Sequence, residues 1–227
     1  FIGAGGSDTL FASNGATTNF YRYIISTNAW ATRTAIPAAS GFGAGIVWTY
    51  GESLLLTLGG SNSFYSYSIR GNSWTQLANL PAAIGAGASL VYPSTGGDFI
   101  YATRGFAGGG TPSFYRYQIS TNAWTTIAPV LAGTNGGDGV SNDGCMAAGG
   151  SDKIFAFRGG NSQDFFQYTI STDTWAERDS TGATGAQSGT SIVYDSGAFV
   201  YALGANSGAT FRRYTISSNS WSTKTSI

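Results

Sequence analysis

The chain contains no histidine. That absence removes the side chain that titrates nearest neutral pH, and with it Ser-His-Asp and Cys-His catalysis and imidazole-ligated zinc or copper. A single cysteine, Cys145, has no partner for an internal disulfide and no second thiolate for a metal cluster. A small hydrophobe buried in a strand is the role expected of it. Charge is scarce too: 11 basic and 11 acidic side chains cancel and make up 10% of 227 residues. A phosphate backbone would demand a basic surplus, so nucleic acid is not an expected partner. No apolar run approaches the roughly 20 residues that cross a bilayer, and no membrane insertion is expected. The start, Phe1-Ile2-Gly3-Ala4, has neither a basic region nor an apolar core of signal-peptide type, and the one methionine is Met146. These features suggest a processed product or part of a longer protein.

What the chain has in quantity is Gly, Ser, Thr and Asn, with 15% aromatic residues. This mixture suits strands and tight turns, disfavours helices, and is too aromatic for disorder. Hydroxyl and amide groups in place of charge suggest an extracellular or particle-surface location. No Asn-x-Ser/Thr sequon occurs, so N-glycosylation is not expected.

A long period is written into the residues. FYRYIISTNAW (20–30) and FYRYQISTNAW (114–124) differ at one position, and three further copies end at Trp74, Trp175 and Trp221. In every copy a Tyr stands seven residues before the Trp (Tyr23, Tyr67, Tyr117, Tyr168, Tyr214). An Ile stands five before it, from Ile25 to Ile216, and an Asn or Asp two before it (Asn28, Asn72, Asn122, Asp173, Asn219). The Trp residues are 44, 50, 51 and 46 apart, which fits the four-stranded blade of a propeller. Runs such as Ser191-Ile192-Val193-Tyr194 and Phe199-Val200-Tyr201-Ala202-Leu203 supply the first two strands of a unit. The Tyr-bearing strand, the Ser-Thr-Asn turn and a strand opened by Trp follow. The Asn tolerates positive φ and specifies that turn locally. The aromatics are assigned to the wedge between blades rather than to a ligand platform. Small residues at Gly3-Ala4-Gly5, Gly43-Ala44-Gly45, Gly85-Ala86-Gly87-Ala88 and Ala147-Ala148-Gly149 are expected where the innermost strands crowd the axis.

With Gly59-Gly60, Arg158-Gly159-Gly160, the Tyr-x-Ile motif and the Trp in this order, the chain resembles the kelch repeat over essentially its whole length. The diglycine is degraded at Asn14-Gly15, Arg104-Gly105 and Gly204-Ala205, and the first unit is short at its start. The expected fold is all-β, a five-bladed β-propeller of kelch-like four-stranded blades. It forms a single domain, 1–227, with blades near 1–40, 41–83, 84–133, 134–184 and 185–227. The first and last blades are expected to pack together and close the ring, unless the chain belongs to something larger. Copper oxidases of the kelch type need imidazoles, so the resemblance does not extend to that chemistry.

The acidic residues are scattered singly among turns. Asp138 and Asp143 could offer oxygen ligands to calcium, yet the loop lacks the spacing of a calcium loop, and Asp-Gly pairs are ordinary turn formers. No metal or other cofactor is therefore expected. Residues 105–111, rich in glycine, lack the Lys-Ser/Thr of a phosphate cradle and are read as a connection between strands. Arg22, Arg116, Arg212 and Arg213 lie beside aromatics and are expected to stack on them, the alternative being a positive lining for an acidic partner. Arg104 and Arg158 match each other just after their second strands. No catalytic residue is assigned. The function expected is a non-catalytic protein-interaction or structural module with protein partners, belonging to a larger assembly. The alternative is a lectin-like propeller that binds surface glycans through loop aromatics and the repeated Asn and Asp.

Overall fold

The computed structural model describes residues 2–4, 8–93, 97–106, 113–131, 140, 142–150, 152–180, 189–204 and 210–225. Among them, twenty strands form five antiparallel four-stranded sheets, each in chain order, in a propeller arrangement. The first blade is β1 (Ile2–Ala4), β2 (Thr9–Ser13), β3 (Phe20–Ile24) and β4 (Ala29–Arg33). The second is β5 (Gly45–Trp48), β6 (Ser53–Thr57), β7 (Phe64–Ser68) and β8 (Ser73–Gln76). The third is β9 (Ser89–Val91), β10 (Phe99–Thr103), β11 (Phe114–Gln118) and β12 (Ala123–Ile127). The fourth is β13 (Cys145–Ala148), β14 (Lys153–Phe157), β15 (Phe165–Thr169) and β16 (Thr174–Arg178). The fifth is β17 (Ser191–Tyr194), β18 (Phe199–Leu203), β19 (Phe211–Thr215) and β20 (Ser220–Thr223). The first strands of successive blades lie against one another from β1 to β17, which makes them the inner strands.

The turn from third to fourth strand is set locally. Its Asn or Asp has φ between 50° and 53° in all five blades, a left-handed conformation that these two side chains tolerate. A carboxylate of the same blade ties that turn down in three cases. Asp8, Asp98 and Asp152 accept the backbone N–H of Ser26, Ser120 and Ser171 at 2.7, 2.8 and 2.8 Å, and each also accepts the hydroxyl of its serine.

Aromatic wedges join the blades. The rings of Phe20, Phe64, Phe114 and Phe165, each opening a third strand, meet the Tyr of the next blade at centroid distances of 4.8 to 4.9 Å. They meet its Trp at 4.9 to 5.1 Å. These edge-on pairs contribute about 0.5 to 1.5 kcal/mol each beyond their burial. A polar clamp accompanies each wedge. The residue four beyond one blade's Trp donates its N–H to the next blade's turn Asn or Asp and accepts the indole N–H of the next Trp. Thr34 does so with Asn72 and Trp74, Ala78 with Asn122 and Trp124, Ala128 with Asp173 and Trp175, and Asp179 with Asn219 and Trp221.

The clamp is missing at one place. Between the fifth and first blades, among the described residues, Asn28 and Trp30 make no such bonds. Trp30 is 56% exposed, against 7% for Trp175. Leu10, Ala12, Tyr21 and Tyr23 are only half-buried, although their counterparts Ile154, Ala156, Phe166 and Tyr168 are buried. Among the described residues, the clamp expected between first and last blade of a closed ring is absent, and the Trp30 side of the first blade stays open.

The small residues are partly displaced from the expected strands. Gly43 and Gly85 precede the inner strands and pass each other in the loops, where a Cβ on Gly43 would collide with the carbonyl oxygen of Gly85. Close approach of neighbouring loops, more than crowding of the strands themselves, demands glycine there. The inner strand β5 carries Ile46, Val47 and Trp48, while Gly45 lies against Leu90.

Candidate functional site

Alternating strand direction sends the connections to opposite faces of the disc. The turns from first to second and from third to fourth strand emerge on one face, here the turn face. The connections from second to third strand, and from each blade to the next, emerge on the other, the loop face.

On the turn face a cavity of about 640 Å³ opens where β5, β9, β13 and β17 end, with Tyr50, Tyr92, Pro93, Ile192, Val193 and Tyr194 in its wall. In three blades an aromatic residue ends or directly follows the inner strand, and its polar tip bonds a turn glycine. Trp48 Nε1 donates to the Gly51 carbonyl at 2.9 Å, Tyr92 Oη to that of Gly97 at 2.6 Å, and Tyr194 Oη to that of Gly197 at 2.8 Å. With those tips engaged, the rings present their faces. Tyr50, at φ 61° and half-exposed, lies with its centroid 4.7 Å from that of Trp48 and 5.9 Å from that of Tyr92. No charged side chain is among the described lining residues. The chemistry on offer is ring-face stacking.

On the loop face the second-strand glycines receive the incoming interblade loops. A Cβ on Gly59 would strike the Phe42 carbonyl, and one on Gly159 would strike that of Asn142. The amides of Gly59 and Gly160 bond Ser40 O and Asn142 O, both at 2.7 Å. That contact is the physical reason for glycine in these pairs. It also fixes the most exposed aromatic residue of the described chain. Phe42 stands between Gly41 (φ 60°) and Gly43 (φ 82°) and is 88% exposed. The loop beneath it is anchored by buried Ser40 and by the bond from Gly41 N to Gly15 O at 3.0 Å. Beside Gly43 runs the next interblade loop, where Gly85 N bonds Arg104 O at 2.9 Å and Phe106 N bonds Ala86 O at 2.8 Å, so Arg104 and half-exposed Phe106 flank the Gly85-Ala86 loop. The Arg104 guanidinium donates to the Ala83 carbonyl at 3.1 Å. Its counterpart Arg158 turns inward instead and pairs at 3.1 Å with the fully buried carboxylate of Asp164.

The other residues singled out in the sequence resolve as follows. Arg116 and Arg213 stack on Phe99 and Phe199 at 4.7 and 4.1 Å, as expected. Arg22 has Thr9 at the position equivalent to those rings. Asp143 is a turn residue at φ 65°, while Asp138 and residues 107–112 lie outside the described residues. No group of three or more His, Cys, Asp or Glu capable of holding a metal occurs among the described residues. Cys145 retains some surface as a residue, but burial of the thiol pushes its pKa up to about 12, despite hydrogen bonds with the backbone of Phe157 and Ile192 that act the other way. The Asp98 carboxyl is held below the usual carboxylate range, chiefly by the Ser120 hydroxyl and then by Gln118. Of the repeated Asn and Asp, candidates for glycan contacts in the sequence, Asn72, Asn122, Asp173 and Asn219 serve the interblade clamp.

Compared with known proteins, the chain matches no family model and no curated protein. Phe42 and Tyr50 were not identified from the sequence. The available signal for Phe42 was a large apolar side chain set between glycines, outside the repeat's periodic positions.

Proposed function

We propose that this chain is a non-catalytic protein-interaction module that binds a partner protein through its loop face. Phe42 carries the reading: a nearly fully exposed phenylalanine is held outward by a loop whose backbone, at Ser40 and Gly41, is hydrogen-bonded to Gly59 and Gly15. Aromatic and Arg side chains on a rigid support are the usual anchors of protein interfaces, and Arg104 and Phe106 flank the neighbouring loop, Gly85-Ala86, against which Gly43 packs. The blades are of kelch type in this reading, supported by the motif order and by the close-packed glycines Gly59 and Gly159. Low charge and abundant hydroxyl groups support an extracellular or particle-surface setting.

Affinity recovery from the native source, with wild-type and Phe42→Asp proteins in parallel, tests the proposal. A protein retained by the wild type and lost with the variant, at unchanged melting temperature, is the expected result. Equal recovery would overturn it. Carbohydrate binding is a second reading, favoured by the uncharged tyrosine-lined cavity of the turn face. In that case a glycan array gives saturable binding that Tyr50→Ala removes and Phe42→Asp leaves intact.

A further inference from the structure

Among the described residues, one side of the first blade and one side of the fifth are left open. The fifth blade carries a stacked pair, Tyr201 and Phe211, with centroids 5.6 Å apart and ring planes inclined by 14°. The same pair occurs as Phe11 and Phe20 at 5.6 Å, Tyr101 and Phe114 at 5.8 Å, and Phe155 and Phe165 at 5.7 Å. In each of those blades the pair receives the edge of the next blade's Tyr. On the fifth blade, Leu203 and Val193 beside it are 38% and 61% exposed. Thr225, exposed, stands four residues after Trp221, the position from which Thr34, Ala78, Ala128 and Asp179 clamp the following blade.

The open side of the first blade is already assembled. Tyr23 Oη donates to Asn28 Oδ1 at 2.6 Å, and the rings of Tyr23 and Trp30 lie 5.0 Å apart at 43°. Tyr117 and Trp124, inside a formed interface, lie 5.0 Å apart at 46°. A hollow of about 340 Å³, walled by Ala12, Tyr21 and Trp30, opens on this side. The indole N–H of Trp30 and the second lone pair of Asn28 Oδ1 have the partners of the other blades' clamps still to find.

We infer that these two sides form a self-association surface: the fifth blade of one copy docks on the first blade of a second copy of this chain. The occupant follows from continuity with the four interfaces inside the molecule. Those interfaces define what covers an Asn-Trp face, and the chain itself carries that cover on its fifth blade. Such a contact is heterologous, so copies add head to tail and form a ring or a filament according to whether the rotation closes. It lies on the sides of the disc and is independent of the loop-face partner.

Sedimentation velocity over a wide concentration range tests this with Trp30→Ala and Phe211→Ala. The wild type is expected to gain mass with concentration and each variant alone to remain monomeric. An equimolar mixture is expected to stop at a one-to-one dimer, because each variant retains the half that the other has lost. Thr225→Pro, which removes the clamping N–H, substitutes for Phe211→Ala should that variant fold poorly. Phe42→Asp is expected to associate like the wild type. A wild type that stays monomeric throughout, or variants that associate unchanged, overturns the inference. Monomeric wild type with a lowered melting temperature in both variants would identify the occupant as the chain's own fifth blade, which also overturns it.

Discussion

Asn122 Oδ1 accepts the backbone N–H of Ala78, 44 residues earlier and in the preceding blade, at 2.8 Å. The same oxygen accepts the Tyr117 hydroxyl at 2.8 Å within its own blade. One side chain thus sets a turn, holds a buried tyrosine and joins two blades, which explains why the repeat requires a carbonyl or carboxylate oxygen there.

Asn122→Ala is therefore expected to cost about 2 to 4 kcal/mol, since it strands two donors and puts alanine at positive φ. Asn28→Ala removes only the bond within its blade and is expected to cost at least about 1 kcal/mol less. Urea unfolding of the two variants, at concentrations where the chain is monomeric, checks the difference; equal losses would contradict the clamp.

Phe114 is fully buried and touches Tyr168 and Trp175 of the next blade. Phe114→Ala is expected to destabilise by about 3 to 5 kcal/mol. Phe42→Ala, on an exposed loop, is expected to stay within about 0.5 kcal/mol of the wild type. Scanning calorimetry distinguishes the two, and a large loss at Phe42 would make it a structural residue rather than a contact residue.

Burial pushes the Tyr117 hydroxyl up to about 12 and raises Tyr101, Tyr168 and Tyr214 as well. The folded chain holds these protons more tightly than the unfolded chain does. Their contribution is fully present below the ordinary tyrosine value of about 10 and is lost as pH climbs toward the folded value. The melting temperature is expected to fall steeply from about pH 10 upward. Tyrosinate absorbance should show these hydroxyls titrating only as the structure opens; early, reversible ionisation of all tyrosines in the folded chain would refute it.

The Tyr, Ile, Asn and Trp spacing made the blade count, the strand order and the turn legible, because all depend on residues close in sequence. The core role of Tyr117 and Trp124 was legible too, since rings of that size recurring once per blade have only the wedge between sheets to fill. The stacking of Arg22 failed because it depended on an aromatic at position 9, where the chain has Thr. The clamp was hidden for a different reason: its partners at Ala78 and Ala128 are main-chain groups, which any residue but proline offers in full.

By itself the sequence determined the all-β blades, their number and their turns, through side-chain alternation and a left-handed Asn or Asp, both local properties of the chain. Only the tertiary structure decided which side of which blade stays open, why glycine must sit beneath Phe42, and where Tyr50, Tyr92 and Tyr194 converge. Those outcomes depend on distances between backbones and rings from different blades, and no spacing along the chain encodes them.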